Sequence, residues 1–292
     1  MTSVCRLGWV GELELGSPPT MTMTIYESFA GRIRRITKSA FLPKARCFGS
    51  VRSALRGGHG LEIGGPSRIF GDAGGLPIYC ELMNLDNCVF STTTVWEGEQ
   101  QSGRTFKFHG SKPNGWNYIQ EGSVLGGIAK CTYDFVLSSH NIEHFANPLK
   151  ALFEWKRVLK DFGFLLLVLP NRQNTFDHRR PVTLLSHIIE DFEAGTTEDD
   201  LTHLPEIIRL HDLGRDPHAI AFERFRDRAL KNSENRCLHH HVFDLQLAIS
   251  LTEYAGFEVL AAELYFPIKP QNIIVFARKT GTFSLADPEG AL

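Results

Sequence analysis

Histidine and glutamate side chains cluster directly after an apolar segment of strand length, residues 134–138. They form the string His140-Asn141-Ile142-Glu143-His144. A continuous apolar run of this length is typical of a strand that is buried on both faces, as in a parallel sheet. In such sheets ligands bind outside the carboxyl ends of the strands. Imidazole and carboxylate groups at that position could transfer protons, so the string predicts a functional site at one sheet edge.

The same string matches H-x-x-E-H, a zinc-protease signature. That chemistry requires His140 and His144 on one helix face as zinc ligands, with Glu143 as the general base. Here the string follows a buried strand and precedes a helix start at Asn147-Pro148. We therefore reject the protease interpretation in favour of a site at the end of a strand.

A helix and a second strand follow this site. Asn147 is suited to cap the helix, and Pro148 to occupy its first position. An apolar stripe at helical spacing supports the helix, and Gly163 is predicted to end it. Residues 164–169 form another continuous apolar run, so the whole segment predicts a right-handed strand–helix–strand crossover. The stripe consists of Leu149, Leu152, Phe153 and Leu159.

A glycine-containing loop follows an earlier apolar strand, in Leu61-Glu62-Ile63-Gly64-Gly65-Pro66-Ser67. Glycine allows the backbone to approach a ligand closely because it has no Cβ atom. The loop is neither GxGxxG nor a P-loop, since the third glycine is misplaced and no GK[ST] follows. A ligand with a di- or triphosphate is therefore disfavoured.

Acidic residues are expected at the ends of three successive strands. Glu62 is the first, and Asp86 is placed to end the second strand and to accept hydrogen bonds from ribose hydroxyls, with Glu81 as the competing candidate. Glu121 is placed to end the third. Three such acids suit a ligand with a cationic amino group, a ribose and an amino-purine.

Composition narrows the class of protein. The 292 residues are 42% hydrophobic with a formal net charge of −2, which is ordinary for a globular chain and gives no basic field for nucleic acid. Six cysteines without a CxxC favour reduced thiols. The sequence contains no long apolar segment and no signal-peptide pattern, so we predict a cytoplasmic protein with neither a membrane nor a nucleic-acid partner.

The chain divides into four parts. Residues 1–20 are predicted to lack regular structure, which makes Met21 a candidate start. Residues 21–56 are basic and predict an N-terminal helical cap. Residues 57–280 predict one domain with an insertion at 172–241, and residues 281–292 a tail.

The insertion holds residues that could act on an acceptor. The adjacent Asp177 and His178 could act together as a general base. We expect His178→Ala to lower turnover by orders of magnitude without loss of cofactor affinity. Arg179 or Arg180 could bind a carboxylate or phosphate. Two alternatives stay open for the insertion, a buried polar network and metal binding by its histidines, and no metal ligand is assigned. The histidines return before the next helix, together with Arg236, as His239, His240 and His241.

At this point the chain resembles the class I S-adenosylmethionine-dependent methyltransferases, in particular a small-molecule branch of methyltransferase type 11. Departures from the family pattern are Asp161-Phe162 in place of Pro-Gly, and Glu-Ile-Gly-Gly-Pro-Ser in place of acid-x-Gly-x-Gly. The residues that match are Tyr133-Asp134-Phe135-Val136, Ile142-Glu143-His144, Asn147-Pro148, Leu152, Glu154, Arg157-Val158-Leu159-Lys160, Gly163 and Pro170-Asn171.

The resemblance implies a Rossmann-like three-layer α/β sandwich, with a seven-stranded, mostly parallel sheet, an antiparallel last strand pair and a helical insertion. It implies S-adenosyl-L-methionine as cofactor, with Glu62 and Gly64 beside the methionine moiety, Asp86 on the ribose and Glu121 near the adenine. The implied cofactor-binding residues are Glu62, Gly64, Gly65, Pro66, Asp86, Glu121, Ser138, Ser139 and His140. The candidate catalytic residues are His140, His144, Asp177, His178 and His241.

The predicted function is methyl transfer to a small-molecule acceptor, with a hydroxyl of a sugar or secondary metabolite as the favoured group. Nitrogen and carbon acceptors stay open, as does a homodimeric assembly. One alternative is a cofactor-binding protein without turnover. The other is an NAD-type oxidoreductase, which the missing GxGxxG disfavours.

Overall fold

A mixed β-sheet forms the centre of the molecule in the computed structural model, which describes residues 43–94, 98–216, 221–266 and 272–281. The predicted segment 1–20, most of the predicted cap and all but Gly281 of the predicted tail at 281–292 lie outside these residues. The described strands are β1 (His59–Ile63), β2 (Asn84–Val89), β3 (Thr93–Thr94), β4 (Gly98–Glu99), β5 (Gly103–Phe106), β6 (Gly115–Ile119), β7 (Tyr133–Ser139), β8 (Leu159–Pro170), β9 (Phe257–Tyr265) and β10 (Asn272–Lys279).

The sheet has the order β5-β6-β2-β1-β7-β8-β10-β9, and β3 pairs separately with β4. Strands β6, β2, β1, β7 and β8 are parallel, whereas β10 is antiparallel to both of its neighbours. The predicted α/β sheet with an antiparallel last pair is therefore confirmed. The sheet has eight strands rather than seven, because β5 pairs antiparallel to β6 at the edge. This short strand exposes Arg104 and Thr105, so it lacks the apolar run that marks a buried strand.

The described α-helices lie mostly in the second half of the chain. Within the described residues, no helix combines the length and the apolar composition needed to cross a membrane. The helices are α1 (Phe48–Leu55), α2 (Pro148–Val158), α3 (Leu185–Ala194), α4 (Leu204–Leu210), α5 (Phe222–Leu230), α6 (Asn232–Asn235) and α7 (Leu245–Tyr254).

Helix α2 begins where the sequence predicts and ends earlier. The Asn147 side chain accepts a hydrogen bond from the Lys150 amide (3.0 Å), which satisfies one of the free N–H groups of the first turn. The predicted end at Gly163 is wrong, because Leu159 already pairs with Tyr133 as the first residue of β8. Strand pairing thus takes over from helical bonding one turn before the glycine.

Side chains of the central strands pack alternately on the two faces of the sheet. In β8, residues 165, 167 and 169 pack on the face covered by α2 and α7, whereas 166 and 168 pack on the face covered by α1. Full burial of such an aliphatic side chain stabilises the fold by roughly 1.5–3 kcal/mol. This arrangement confirms the predicted three-layer sandwich.

Residues 172–241 hold helices α3 to α6 and have a small apolar core of their own, formed by Leu204, Ile207, Phe225, Ala229 and Leu238. The segment leaves the sheet and returns at one point. There the Arg172 amide donates to the Phe243 carbonyl (3.0 Å) and the Thr183 amide to the Val242 carbonyl (3.0 Å). Its two ends are therefore fastened side by side next to the carboxyl end of β8.

Candidate active site

A cavity of about 1000 Å³ opens at the carboxyl ends of the parallel strands, where ligands bind in α/β sheets. The loops that follow the strands supply one wall, and the insertion supplies the other. Lining residues from the sheet side include Gly64, Pro66, Phe90, Glu121, Ser139, His140 and Glu143, and those from the insertion include Phe176, Glu198, Arg236 and His239.

The loop after β1 is shaped by side chains around it. Gly64 has a φ of 72°, and a Cβ atom at this position would lie 2.4 Å from Asn141 Oδ1. Glu62 is fully buried and accepts hydrogen bonds from the Ser67 amide (3.0 Å) and the Tyr79 hydroxyl (2.7 Å). Gly64 and Pro66 line the cavity, whereas Glu62 supports the loop from behind. Gly65 lies between them, with its amide donating to Asn87 (2.8 Å).

Asp86 lies away from the cavity. The prediction that it ends the second strand is wrong, because β2 continues for three more residues to Val89. Its carboxylate contacts the first residues of β1 and β7, His59 Nε2 (3.0 Å) and the Tyr133 hydroxyl (3.0 Å), and accepts from the Trp116 amide (2.7 Å). Burial raises the pKa of Asp86, but these hydrogen bonds outweigh it and hold the pKa below its ordinary value. Asp86 therefore ties strands together at the amino edge of the sheet.

Glu121 follows β6 and lines the cavity, as predicted from the sequence. Arg236 of the insertion forms ion pairs with Glu121 (2.8 Å) and with Glu198 (2.8 Å), and its guanidinium lies 5.6 Å from the ring centre of Phe90. Burial raises the pKa of Glu198 to about 7, although the charge of Arg236 opposes the shift. The competing acid Glu81 instead pairs with an arginine of α1 and does not line the cavity.

The end of β7 places two of its three predicted residues in the cavity. Ser139 and His140 line it, whereas Ser138 is buried within the sheet. His140 has a φ of 56°, and its Nε2 lies 3.2 Å from Asn272 Oδ1 on β10. This backbone turn directs the chain from β7 across the mouth of the cavity.

Glu143 is fully buried, yet it lines the cavity. Neither of its carboxylate oxygens has a hydrogen-bond partner among the residues that the structure describes. Burial raises its pKa to about 7, and the nearby charge of His239 offsets this only in part.

The string around Glu143 forms a single 3-10 turn, Ile142–His144, rather than the helix that a zinc protease requires. His144 donates from Nδ1 to the Leu238 carbonyl (2.9 Å), which fixes its ring.

His239 forms the histidine–aspartate pair of the cavity. Its Nδ1 lies 2.5 Å from Asp177 Oδ2, and Asp177 Oδ1 accepts from buried Arg180 (3.1 Å). Burial lowers the pKa of His239, but the Asp177 carboxylate outweighs it and the pKa lies above its ordinary value. Burial raises the pKa of Asp177, but the charges and hydrogen bonds of His239 and Arg180 lower it on balance. His239, Glu143 and His144 bring their polar atoms within 4.8 Å of one another.

Several predicted acceptor residues lie elsewhere. His178 pairs with Asp212 (Nε2 to Oδ2, 2.8 Å) rather than with Asp177, and Arg179 contacts the same Asp212 carboxylate (3.2 Å). Neither lines the cavity. Arg180 is a buried structural cation rather than a free anion site. His241 is buried outside the cavity, with Nε2 3.2 Å from the Ala146 carbonyl. The insertion does reach the cavity, but it does so through Phe176, Glu198, Arg236 and His239.

The sequence placed His239 and Arg236 near the acceptor without a catalytic role, and it offered Glu143 as part of the family pattern and as the base of a rejected protease site. The position of residues 236–241 in the chain was the only indication of their location that the sequence offered. Residues 236–241 return directly before the helix that packs on the sheet, so some of them had to reach the sheet edge. Which of three consecutive histidines faces the cavity depends on backbone direction, which spacing alone does not give.

A family model described as a methyltransferase domain matches residues 110–167, from the segment before β6 into β8. The match includes most of the segment that carries the sequence resemblance, so over residues 110–167 the chain is similar to a methyltransferase domain. No curated protein matches the chain.

Among the solved structures to which the chain is similar, two are described as S-adenosylmethionine-dependent methyltransferases. The protein from Methanosarcina mazei is 13% identical, with a TM-score of 0.45, and the alignment covers 79% of this chain and 97% of that one. The protein from Mesorhizobium loti is 11% identical, with a TM-score of 0.45 and coverages of 80% and 96%. Both TM-scores are below 0.5, so neither likeness adds to the assignment of the fold or of a residue's role.

Proposed function

We propose that this chain, which contains a methyltransferase domain segment, transfers a methyl group from S-adenosylmethionine to a hydroxyl of a small-molecule acceptor. One observation supports this most directly: a glycine loop and His239, whose ring is paired with buried Asp177, line the same cavity. The cavity volume of about 1000 Å³ lies at the upper end of the roughly 300–1,000 Å³ range of ligand sites, enough for a cofactor and a small acceptor.

The sheet side of the cavity fits the cofactor. The backbone of the Gly64–Pro66 loop lies open to a ligand, and the Glu121 carboxylate and Phe90 ring lie at the ends of neighbouring strands. These groups offer hydrogen-bond acceptors and an aromatic face to a nucleoside and to a cationic amino group. Among the described lining residues from β2 and the segment after it, none is an acid, so the ribose contact expected from Asp86 is not part of the proposal.

The insertion side fits the acceptor. When bound, the cofactor supplies a methyl group on a positively charged sulfur, which leaves as a neutral thioether. A hydroxyl that attacks the methyl group must lose its proton, and His239 Nε2 is the nitrogen available to receive it because Nδ1 faces Asp177. Asp177 orients the ring and stabilises the charged imidazolium, as the carboxylate does in a hydrolase triad. An ion pair with Arg180 in turn stabilises the negative charge of Asp177.

A hydroxyl fits this arrangement better than an amine does. A neutral amine already has a free electron pair and can attack before it loses a proton, whereas a hydroxyl gains from a base during attack. The Glu143 carboxylate, which has no hydrogen-bond partner among the described residues, favours an acceptor that donates a hydrogen bond, a property that hydroxyls and amines share.

Calorimetry tests the cofactor. We expect the full chain to bind S-adenosylhomocysteine and to give no heat with NAD⁺. Binding of NAD⁺ alone would contradict the proposal and support the oxidoreductase alternative.

A screen tests the reaction. Hydroxylated metabolites and nucleotide sugars are incubated with S-adenosylmethionine and enzyme, and mass spectrometry detects products that have gained one methyl group. Matched amine compounds form the second arm. Methylation confined to amines would exclude the hydroxyl acceptor, and cofactor binding without any product would support the non-catalytic alternative.

A further inference from the structure

A second histidine cluster lies outside the cavity, within the insertion. Its four members are His187, Asp191, His203 and His241, and their potential ligand atoms all lie within 4.8 Å of one another. None of the four lines the cavity described above. This group is therefore separate from the Glu143, His144 and His239 group at the candidate active site.

The backbone brings the four residues together from three places. His187 and Asp191 are four residues apart on α3, so they share one face of that helix. His203 directly precedes α4, and His241 lies in the segment that returns to the sheet. The cluster thus joins the first helix, the second helix and the end of the insertion.

Distances within the cluster match those of a tetrahedral metal site. Zinc bonds of about 2.0–2.2 Å to nitrogen and oxygen separate the ligand atoms of a tetrahedral site by about 3.3–3.6 Å. His187 Nε2 lies 3.1 Å from His203 Nε2 and 3.4 Å from Asp191 Oδ2, and His241 Nε2 lies 3.8 Å from that oxygen. These three distances therefore differ from those of a tetrahedral site by only a few tenths of an ångström, and all four ligand atoms lie within 4.8 Å of one another.

Hydrogen bonding satisfies the polar atoms of the cluster only in part, and His241 Nε2, which lies 3.2 Å from the Ala146 carbonyl, would exchange that contact for the ion. Asp191 Oδ2 is buried and has no hydrogen-bond partner among the described residues, while Asp191 Oδ1 accepts from Thr196. Only one proton can lie between His187 Nε2 and His203 Nε2, so one of these nitrogens donates a hydrogen bond and the other accepts it. Leaving a buried carboxylate oxygen unmet is unfavourable, and a cation at the centre would remove that penalty.

We infer that His187, Asp191, His203 and His241 bind one divalent transition-metal ion, with zinc as the best match. Three imidazole nitrogens and one carboxylate oxygen are ligands that zinc accepts in tetrahedral geometry. Four protein ligands close the coordination sphere, as in a structural site rather than a catalytic one. The ion would fasten α3 and α4 to the segment that carries His239, two residues before His241, into the cavity wall.

Metal content tests the inference directly. The full chain is purified without a histidine tag, and mass spectrometry of the metals measures zinc per chain. We expect about one zinc per chain, loss of that zinc on dialysis against a strong chelator, and recovery on addition of Zn²⁺. Chelation should lower the melting temperature by roughly 5 °C or more, since an ion that binds only the folded chain stabilises it.

Variants locate the ion. His203→Ala and Asp191→Asn are expected to lose it, whereas His109→Ala retains it, because His109 pairs with Asp72 outside the cluster. Should the variants fail to fold, Co²⁺ added to the metal-free wild-type chain gives a visible spectrum that reports tetrahedral coordination.

Three outcomes would overturn the inference. The first is a wild-type chain that contains no metal and whose melting temperature Zn²⁺ does not change. The second is full metal retention by His203→Ala, which would place the ion at another group such as Glu143, His144 and His239. The third is a cobalt spectrum of octahedral type. The first and third outcomes do not bear on methyl transfer, so this inference can fail while the proposed function stands.

Discussion

At the scale of single residues, two histidines of the insertion have different aspartate partners, and only one of the two histidines lines the cavity. His178 follows Asp177 in sequence, but the structure directs His178 towards Asp212 and leaves Asp177 to His239. Adjacent residues in an extended or turning segment point in different directions, so neighbours in sequence rarely pair with each other. The buried pair in the cavity is therefore formed by residues far apart in the chain.

We expect His239→Ala to lower kcat by about 10²–10⁴-fold, the range typical of a lost general base. The dissociation constant of S-adenosylhomocysteine should stay unchanged, because His239 lies on the insertion side of the cavity. His178→Ala is expected to have a much smaller effect, since its ring pairs with Asp212 outside the cavity.

Steady-state kinetics of both variants, with calorimetry for the cofactor, separate the two histidines. A larger loss of kcat in His178→Ala than in His239→Ala would return the role of base to the residue that the sequence favoured.

Asp86 shows what spacing along the chain can and cannot predict. Its distance from Glu62 matches that of a ribose-binding acid, but the register of β2 against β1 places it beside Leu61 near the start of the strand. Where a strand ends depends on its pairing with neighbours, which a single sequence does not reveal. Glu121 lies at a strand end, near the expected position, because β6 ends two residues before it.

At the scale of elements, the loop after β1 depends on a backbone shape that only glycine adopts readily. A non-glycine residue at the φ of Gly64 costs about 1–3 kcal/mol, and the added Cβ would press against Asn141. We expect Gly64→Ala to weaken S-adenosylhomocysteine binding by about tenfold or more, as calorimetry would measure.

Gly49→Ala is the matched control, because no atom lies within 4 Å of the added Cβ and the residue is in helix α1. It should bind the ligand as the wild type does and melt slightly higher. Equal affinity in Gly64→Ala and the control would show that the loop does not hold the cofactor.

Most elements from β7 to β8, and from α7 to β10, could be predicted because their apolar patterns are long and their caps are clear. The exceptions were short or polar elements. Strand β5 is too short for a pattern, and the end of α2 was misplaced because pairing of Leu159 with Tyr133 overrides a glycine signal downstream. Helices α4 and α5 of the insertion could be anticipated only in general terms, since their buried residues pack mostly on one another.

At the scale of the whole molecule, one arginine joins the insertion to the sheet. Arg236 contacts Glu121 from the loop after β6 and Glu198 from the insertion. Burial raises the pKa of Glu198 to about 7, so its folded form holds a proton that the unfolded chain releases above its ordinary value of 4.5. The stability that this proton contributes is present below pH 4.5 and is lost as the pH rises to about 7.

We therefore expect wild-type stability to fall relative to that of Glu198→Gln as the pH rises from 4.5 to 7, since glutamine has no proton to lose. Chemical denaturation at several pH values measures the difference. Glu193→Gln, which removes an exposed carboxylate of the insertion, should follow the wild type. A constant difference between wild type and Glu198→Gln would contradict the raised pKa.

The two ends of the insertion lie at hydrogen-bond distance from each other, at Arg172–Phe243 and Thr183–Val242. The chain therefore enters and leaves the insertion at neighbouring points beside the sheet. A longer or shorter segment between these ends changes the closure entropy only slowly with length. In evolution, the segment that faces the acceptor could be exchanged as a unit while the fold beneath it stays intact. Divergence in this lineage should accordingly concentrate in the insertion rather than at the ends of the strands.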